Sequence, residues 1–357
     1  MKYVTNILIA ICLIACTQKL PDQANQVKPV VITQPVNMDT DDPAIWVNPE
    51  DATKSLIIGT DKDENGALYV YNLDGTVDEE KTVRNLKRPN NVDVEYGLLV
   101  NGIPVDIAVT TERFTNKLRV FRLPDMIAID KGGIEVFVGE ELRAPMGISL
   151  YKRQADGMVF AIISRKEGPT DGRYLWQYRL EDDGNGSVTG VKVREFGIWS
   201  GIKEIESVAV DDKLGYVYYS DESTGVRKYH ADPDVDGANQ ELALLATDKY
   251  LEDREGISIY EISDGTGYIL VSDQSANTFH IYPREGTAGN PHEHPLLKVV
   301  AVSTNNSDGS EVTSRVLGEK FPSGLFVAMS DDKTFQIYSW KDIAGDDLIN
   351  SPDAVRP

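Results

Sequence analysis

Six aromatic residues, Tyr71, Phe121, Tyr178, Tyr229, Tyr282 and Tyr338, recur at intervals of roughly 50 to 57 residues, and the sequence between them follows one plan. An alternating apolar segment leads through a short polar turn to a second strand ending in polar or charged residues. A Gly-containing turn and an aromatic strand follow. The paired inner segments are Ala44 to Val47 with Leu56 to Thr60, Val92 to Val94 with Val105 to Thr110, and Ile148 to Leu150 with Val159 to Ser164. They continue as Val208 to Val210 with Tyr216 to Ser220, Ile257 to Ile259 with Tyr268 to Ser272, and lastly Leu325 to Met329. A period of this length built from four short strands is that of a β-propeller blade, whose apolar faces find partners only in neighbouring blades. The expected fold is all-β, a six-bladed β-propeller of four-stranded antiparallel blades with the aromatic residues on the outer strands. A β-sandwich would leave the period unexplained.

Val30 to Thr33 precedes the first complete unit, and the last unit is one strand short without it. This segment is therefore expected to close the ring by completing the final blade. Further upstream, Lys2, the apolar run Ile7 to Ala15 and the sequence Leu13-Ile14-Ala15-Cys16, which resembles a bacterial lipobox, predict a signal peptide over 1–15 and a lipid on Cys16. A plain secretory signal or a buried apolar strand is the other reading. Residues 16–28 then form a polar tether, 29–345 the propeller and 346–357 a C-terminal tail. The expected location is the bacterial cell envelope, with the membrane touched only through the lipid. Both cysteines, Cys12 and Cys16, lie in the leader region, so the domain is expected to have no disulfide and to rely on core burial and any bound ion.

The chain carries 57 acidic and 36 basic residues, a net charge of −21. Nucleic acid is a poor partner for such a surface, because binding would crowd phosphates against like charge. The charge favours a soluble monomer, and an anionic substrate would need a bridging cation. Acidic residues concentrate at Asp39-Thr40-Asp41-Asp42-Pro43, which is either a solvated turn or an oxygen site for a hard cation such as calcium or magnesium. Its counterparts define two registers. Just before the first strand of successive units come Asp41, Asn91, Glu206 and Glu255; just after the second come Lys62, Arg113, Lys166 and Glu222. Both registers would meet at one rim of a propeller, with carboxylates on one arc and three cations on another. Unneutralised carboxylates would repel one another, so several calcium ions are expected, leaving the cations for phosphate oxygens.

These residues resemble the β-propeller phytases. The resemblance is carried by DDPAIW at Asp41, NNVD at Asn90, R-K-E-G at Arg165, E-x-x-A-V-D-D at Glu206, SDE at Ser220, D-R-E-G at Asp253 and FPSGLFVA at Phe321, in that order from about residue 30 to about 344. It implies a calcium-dependent phosphomonoesterase of the 3-phytase type that removes phosphate stepwise from phytate, myo-inositol hexakisphosphate, taken up as a calcium complex. By position it implies that Asp41, Glu206, Glu222, Asp253 and Glu255 serve the catalytic calcium ions. Asp42 with the carbonyls of Pro43 and Val92 would form a structural calcium site, and Asp308 another. Lys62, Arg113 and Lys166 would hold phosphate. In such a site calcium would lower the pKa of a bound water that attacks phosphorus and would stabilise the leaving alkoxide, with no side-chain nucleophile.

The chain departs from the family pattern where Asp63 follows Lys62 in place of a second lysine, where Met146 replaces a tyrosine, and in the shortened loop after Asp308. Asp39 has no counterpart role and reads as a solvated turn residue. Asp211-Asp212 reads as a tight turn, as do Asp232, Asp234 and Asp236, which lack the Glu of a calcium loop. The four histidines carry no R-H-G phosphatase motif, and G-x-S-x-G and P-loop patterns are absent. Two other functions fit a six-bladed propeller: a calcium lactonase or esterase, which has no use for three cations, and a lipid-anchored binding module, which would line its rim with aromatic residues.

Overall fold

The computed structural model describes residues 25–350 apart from residue 264. The expected leader, the Cys16 lipid, most of the tether and the end of the tail lie outside the described residues. Alternating apolar segments form six antiparallel sheets. From the axis outward, blade one is Thr40–Trp46, Leu56–Asp61, Gly66–Asn72 and Val83–Leu86, and blade two is Pro89–Val100, Ile103–Glu112, Lys117–Arg122 and Ile134–Glu135. Blade three is Pro145–Lys152, Val159–Arg165, Leu175–Asp182 and Val188–Phe196; blade four is Val208–Asp211, Tyr216–Asp221, Gly225–His230 and Ala243–Leu245. Blade five is Ile257–Ser263, Thr266–Asp273, Thr278–Pro283 and Lys298–Ala301. Blade six takes Ser310–Thr313, Leu325–Ser330 and Thr334–Ser339 from the C-terminal end of the chain and Val31–Ile32 from the N-terminal end.

The expected closure by the early strand is thus observed. Val31 pairs with Ile337 and Ile32 with Gln336, and the Phe335 N–H donates to Thr33 Oγ1 at 2.9 Å. First strands touch one another around the ring, and that of blade six returns to that of blade one. Six buried apolar clusters fill the six interfaces between blades. Fully burying one aliphatic or aromatic side chain in them is worth about 1.5–3 kcal/mol. The recurrent aromatic residues sit on third strands rather than on the outermost ones. A third strand is still covered by both neighbouring blades, so Tyr71, Phe121 and Tyr338 are buried there, whereas Val191, Val193, Leu244 and Val299 on fourth strands are exposed.

Beyond the blades, the Val27 N–H donates to the Ala301 carbonyl, and the helix Trp340–Ala344 lays Trp340 on Tyr260 with ring centroids 3.7 Å apart. Among the described residues no helix is long and apolar enough to cross a membrane.

Candidate active site

One backbone hydrogen bond recurs in every blade and builds the site. The residue just after the second strand donates its N–H to a carbonyl on the segment entering the first strand. The pairs are Lys62 to Asp39 (2.7 Å), Arg113 to Arg88 (3.0 Å), Lys166 to Ala144 (2.8 Å), Glu222 to Glu204 (3.4 Å), Gln274 to Asp253 (3.2 Å) and Asp331 to Asn305 (3.0 Å). Satisfying these backbone groups fixes the end of one strand against the start of the other, so both registers of side chains face one rim. Hydroxyl groups near the same strand ends tie the blades together. Thr111 Oγ1 donates to the Met146 carbonyl at 2.5 Å, Ser164 Oγ to Ile205 at 2.5 Å, and Ser220 Oγ to Arg254.

At the rim, the Lys62 ammonium pairs with Asp41 and lies 3.6 Å from Glu206 Oε1 and 3.8 Å from Asp308 Oδ2. Asn90 Nδ2 donates to Asp41 Oδ2 at 3.0 Å and to Glu206. Blades one, two, four and six thus meet at one point near the axis. Asp308, expected at a separate calcium site, belongs to this group, where Gln274 also donates to it. Burial alone would depress the Lys62 amine, but Asp41, Glu206 and Asp308 outweigh it and hold it above the ordinary lysine value. Burial opposes ionisation of Glu206 too; Lys62 and Arg113 prevail and keep its carboxyl below the usual range.

At Glu222, Asp308 and Glu255 burial prevails over the nearby ammonium groups. Glu222 is pushed up to about 8 by burial and by Glu206 and Asp253, Asp308 to about 7 mainly by burial, and Glu255 well up by burial and by Glu222. Ligand oxygens of Glu204, Glu206 and Glu222 lie within 4.8 Å of one another, as do those of Glu222, Asp253 and Glu255. Glu222 belongs to both groups. Glu255 Oε2 is buried with no hydrogen-bond partner among the described residues. Oxygen donors this close, one unsatisfied and several resisting ionisation, fit hard divalent cations.

Lys166, Lys203, Glu204, Glu206, Glu222 and Glu255 border a cleft of 560 Å³. Arg113 completes the cation set, with a buried Nε that has no hydrogen-bond partner among the described residues. Asp42 points elsewhere. Its Oδ2 accepts from the Val92 N–H at 3.0 Å, and with Pro43, Asp93 and Glu311 it borders a 200 Å³ cavity in the central channel. Burial raises the Asp42 carboxyl well above its ordinary value, and nearby Asp41, Glu311 and Asp93 add to the rise. Asp39 is exposed and is held through its backbone, its carbonyl accepting from the Lys62 N–H and its N–H donating to Asp61 Oδ1, both at 2.7 Å.

Glu204, Lys203, Arg254 and Gln274 escaped the sequence reading. Glu204 and Lys203 sit in an aperiodic loop, outside both registers. Arg254 reads as part of a motif, but its guanidinium donates Nη1 to the Glu222 carbonyl at 2.9 Å and stacks on Tyr250 at 4.3 Å, so it positions Glu222 from beneath. At the departures from the pattern, Asp63 closes its own turn by accepting from the Asn65 N–H, and Met146 is buried. Leu317 and Phe321 of the shortened loop are buried in the cluster between blades one and six.

A protein-family model described as Phytase matches residues 4–355. A curated 3-phytase of Bacillus subtilis (strain 168) is 31% identical over 322 residues, covering 85% of this chain and 80% of that protein. Among solved structures, the WD40 β-propeller domain of Doa1 superposes with a TM-score of 0.48 at 11% identity, over 88% of this chain and 97% of that one. The Dos1 propeller gives 0.43 at 10% identity, over 84% and 67%. Neither bears on the site. Matched by the family model over nearly its whole length and by a 3-phytase over most of it, the chain belongs to the phytase family.

Proposed function

We propose that this protein is a calcium-dependent 3-phytase that hydrolyses phytate stepwise to lower inositol phosphates and phosphate. The observation that carries this reading is Glu222, shared by two carboxylate groups that fit divalent cations and bordering the same cleft as Lys166. Asp41, Glu204, Glu206, Glu222, Asp253, Glu255 and Asp308 are the residues that would hold calcium at the rim. Asp42 with the carbonyls of Pro43 and Val92 would hold it at the channel. Bound calcium supplies charge neutralisation for a polyanionic substrate and lowers the pKa of water beside it. Lys62, Arg113 and Lys166 bind phosphate oxygens; Arg113 offers a planar donor fork suited to them, one of whose nitrogens is already dry and unpaired. Asn90 and Lys62 fix the direction of Glu206, and Arg254 fixes that of Glu222. Among the described residues no histidine borders the cleft, which supports attack by water over a phosphohistidine route.

The test is phosphate release from phytate with calcium, after chelation, and in Glu222→Gln and Lys166→Ala. Release is expected only from the wild type with calcium, and its absence at millimolar calcium would refute the reading. Hydrolysis of a lactone without phosphate release would favour the lactonase, and binding without turnover the binding module. We further propose a monomer anchored in the cell envelope through lipid on Cys16. Labelling with a radioactive fatty acid that persists in Cys16→Ser would refute the anchor.

A further inference from the structure

The loop between the outermost strand of blade three and the first strand of blade four is pinned along its length. Tyr219 OH donates to the Ile198 carbonyl at 2.9 Å, and the N–H and hydroxyl of Ser200 donate to the Asp221 carboxylate at 2.9 and 2.6 Å. The Trp199 ring lies 4.9 Å from that of Tyr174, and its indole N–H donates to the Lys203 carbonyl at 2.5 Å. A segment so tied does not wander, and the residues it presents are held at the rim of the cleft.

It presents Lys203 and Glu204. Lys203 is 46% exposed and ion-paired to Asp253, whose side chain is 10% exposed; Glu204 is ion-paired to Lys166. Each of the two carboxylate groups that fit a divalent cation therefore has at least one member covered by a lysine. Asp253 belongs to the group with Glu222 and Glu255, and Glu204 to the group with Glu206 and Glu222. A carboxylate oxygen turned to an ammonium is not free to ligate a metal, and a divalent cation at the same oxygens repels the ammonium. Lysine is suited to such an exchange, because its charge is a point on a flexible stem that finds a new anion by rotation. Both lysines border the cleft in which phosphate would lie, Lys203 from the pinned loop and Lys166 from the end of the second strand of blade three.

We infer that Lys203 is an exchangeable counterion of this site: it neutralises Asp253 when the carboxylates hold no divalent cation and turns to a substrate phosphate when they do. The inference rests on the proposed phytase reading and adds a phosphate contact on the blade-four side, where Asp63 after Lys62 removes one on the blade-one side. The chemistry it recognises is a phosphate monoester on a polyanion already bridged by divalent cations.

Calorimetric titration of the purified full chain separates the steps without turnover. With calcium alone, Lys203→Met is expected to bind the ion about fivefold more tightly than the wild type, the worth of a partly exposed ion pair. With calcium saturating, the same variant is expected to bind inorganic phosphate roughly tenfold more weakly, while Lys203→Arg stays near the wild type in both titrations. With phytate, Lys203→Met should raise KM more than it lowers kcat. Unchanged calcium affinity in Lys203→Met, with a melting temperature lowered by loss of the ion pair, would overturn the exchange and leave Lys203 a structural residue. A wild type that binds no calcium would instead overturn the phytase reading.

Discussion

Lys62 Nζ lies 3.6 Å from Glu206 Oε1, joining blade one to blade four across the axis of the ring. The ammonium is the common counterion of Asp41, Glu206 and Asp308. Replacing it with the isosteric methionine leaves three carboxylates facing one another and removes a phosphate donor. Lys62→Met is expected to lower kcat/KM for phytate about 10²- to 10³-fold, the range for losing one preorganised charged donor. A variant that keeps more than a tenth of the wild-type value would show that Lys62 only balances charge.

Divalent cations that bind only the folded ring stabilise it by mass action, about 2.7 kcal/mol at a hundredfold excess over Kd. Differential scanning calorimetry is expected to show a melting temperature that rises with calcium and drops after chelation. Glu222→Gln, which removes the ligand shared by both groups, should flatten the dependence. An identical melting temperature with calcium and with excess chelator would refute the metal sites.

A pH-dependent contribution is expected at the other end of the channel, where Glu95 and Asp212 share a hydrogen bond. Glu95 is pushed up to about 7, chiefly by burial and then by Asp93, and Asp212 well up by burial and by Glu95. In the unfolded chain both would titrate near 4, so between about pH 4 and 7 the fold binds more protons than the unfolded chain. The contribution of Glu95 is fully present below pH 4 and is lost as pH rises through 7, and Asp212, raised likewise, adds to it in the same direction. With calcium saturating to hold the rim constant, the wild type should lose on the order of 2 kcal/mol over this window, and Glu95→Gln should lose less. Equal slopes for the two proteins would exclude the pair as the source.

The ring was legible because its residues repeat. Tyr71 to Tyr338 mark one structural position six times, and the strand alternation around them has a period of two. The registers at the rim were legible for the same reason, since Asp41, Lys62, Arg113, Lys166, Glu206 and Glu222 stand at fixed distances from those strands. Glu204, Lys203 and Trp199 were not, because a pinned loop has no period and its bonds to Asp221 and Tyr219 cross between blades. Asp211 shows the same limit. Its Oδ1 accepts from the Leu214 N–H at 2.9 Å, as a turn residue should, yet its main partner is Arg284, far along the chain.

That partnership makes Asp211 and Arg284 a prediction of their own. Arg284 Nε and Nη2 each lie 2.6 Å from an Asp211 oxygen, forming a buried fork between blades four and five. Truncating one partner strands a buried charge. Arg284→Met is expected to cost about 3–5 kcal/mol in denaturant unfolding at saturating calcium, and the double variant with Asp211→Leu to recover part of that loss. A double variant as unstable as the sum of both single ones would mean that the fork is not coupled.

The tightest link between packing and chemistry is at Gly147. A methyl group there would stand 1.8 Å from the Glu206 carbonyl oxygen and 3.0 Å from Ser164 Oγ, which accepts from the Gly147 N–H and donates to Ile205. The Glu206 carbonyl is backbone, so it cannot yield by a rotamer change, and blade four would have to move away from blade three where it sets Glu206 against Lys62 and Asn90. Gly147→Ala is therefore expected to destabilise by about 1–3 kcal/mol, as overpacking of a close-packed interior does. Because reacting groups displaced by about 1 Å can lose roughly 10²-fold in rate, it should also lower kcat in the fraction that remains folded. Phytate turnover and calcium titration on folded protein separate the two effects: weaker calcium binding with lower kcat places the damage at Glu206, whereas unaltered binding and kcat in a less stable protein would show that the two blades part without disturbing the rim.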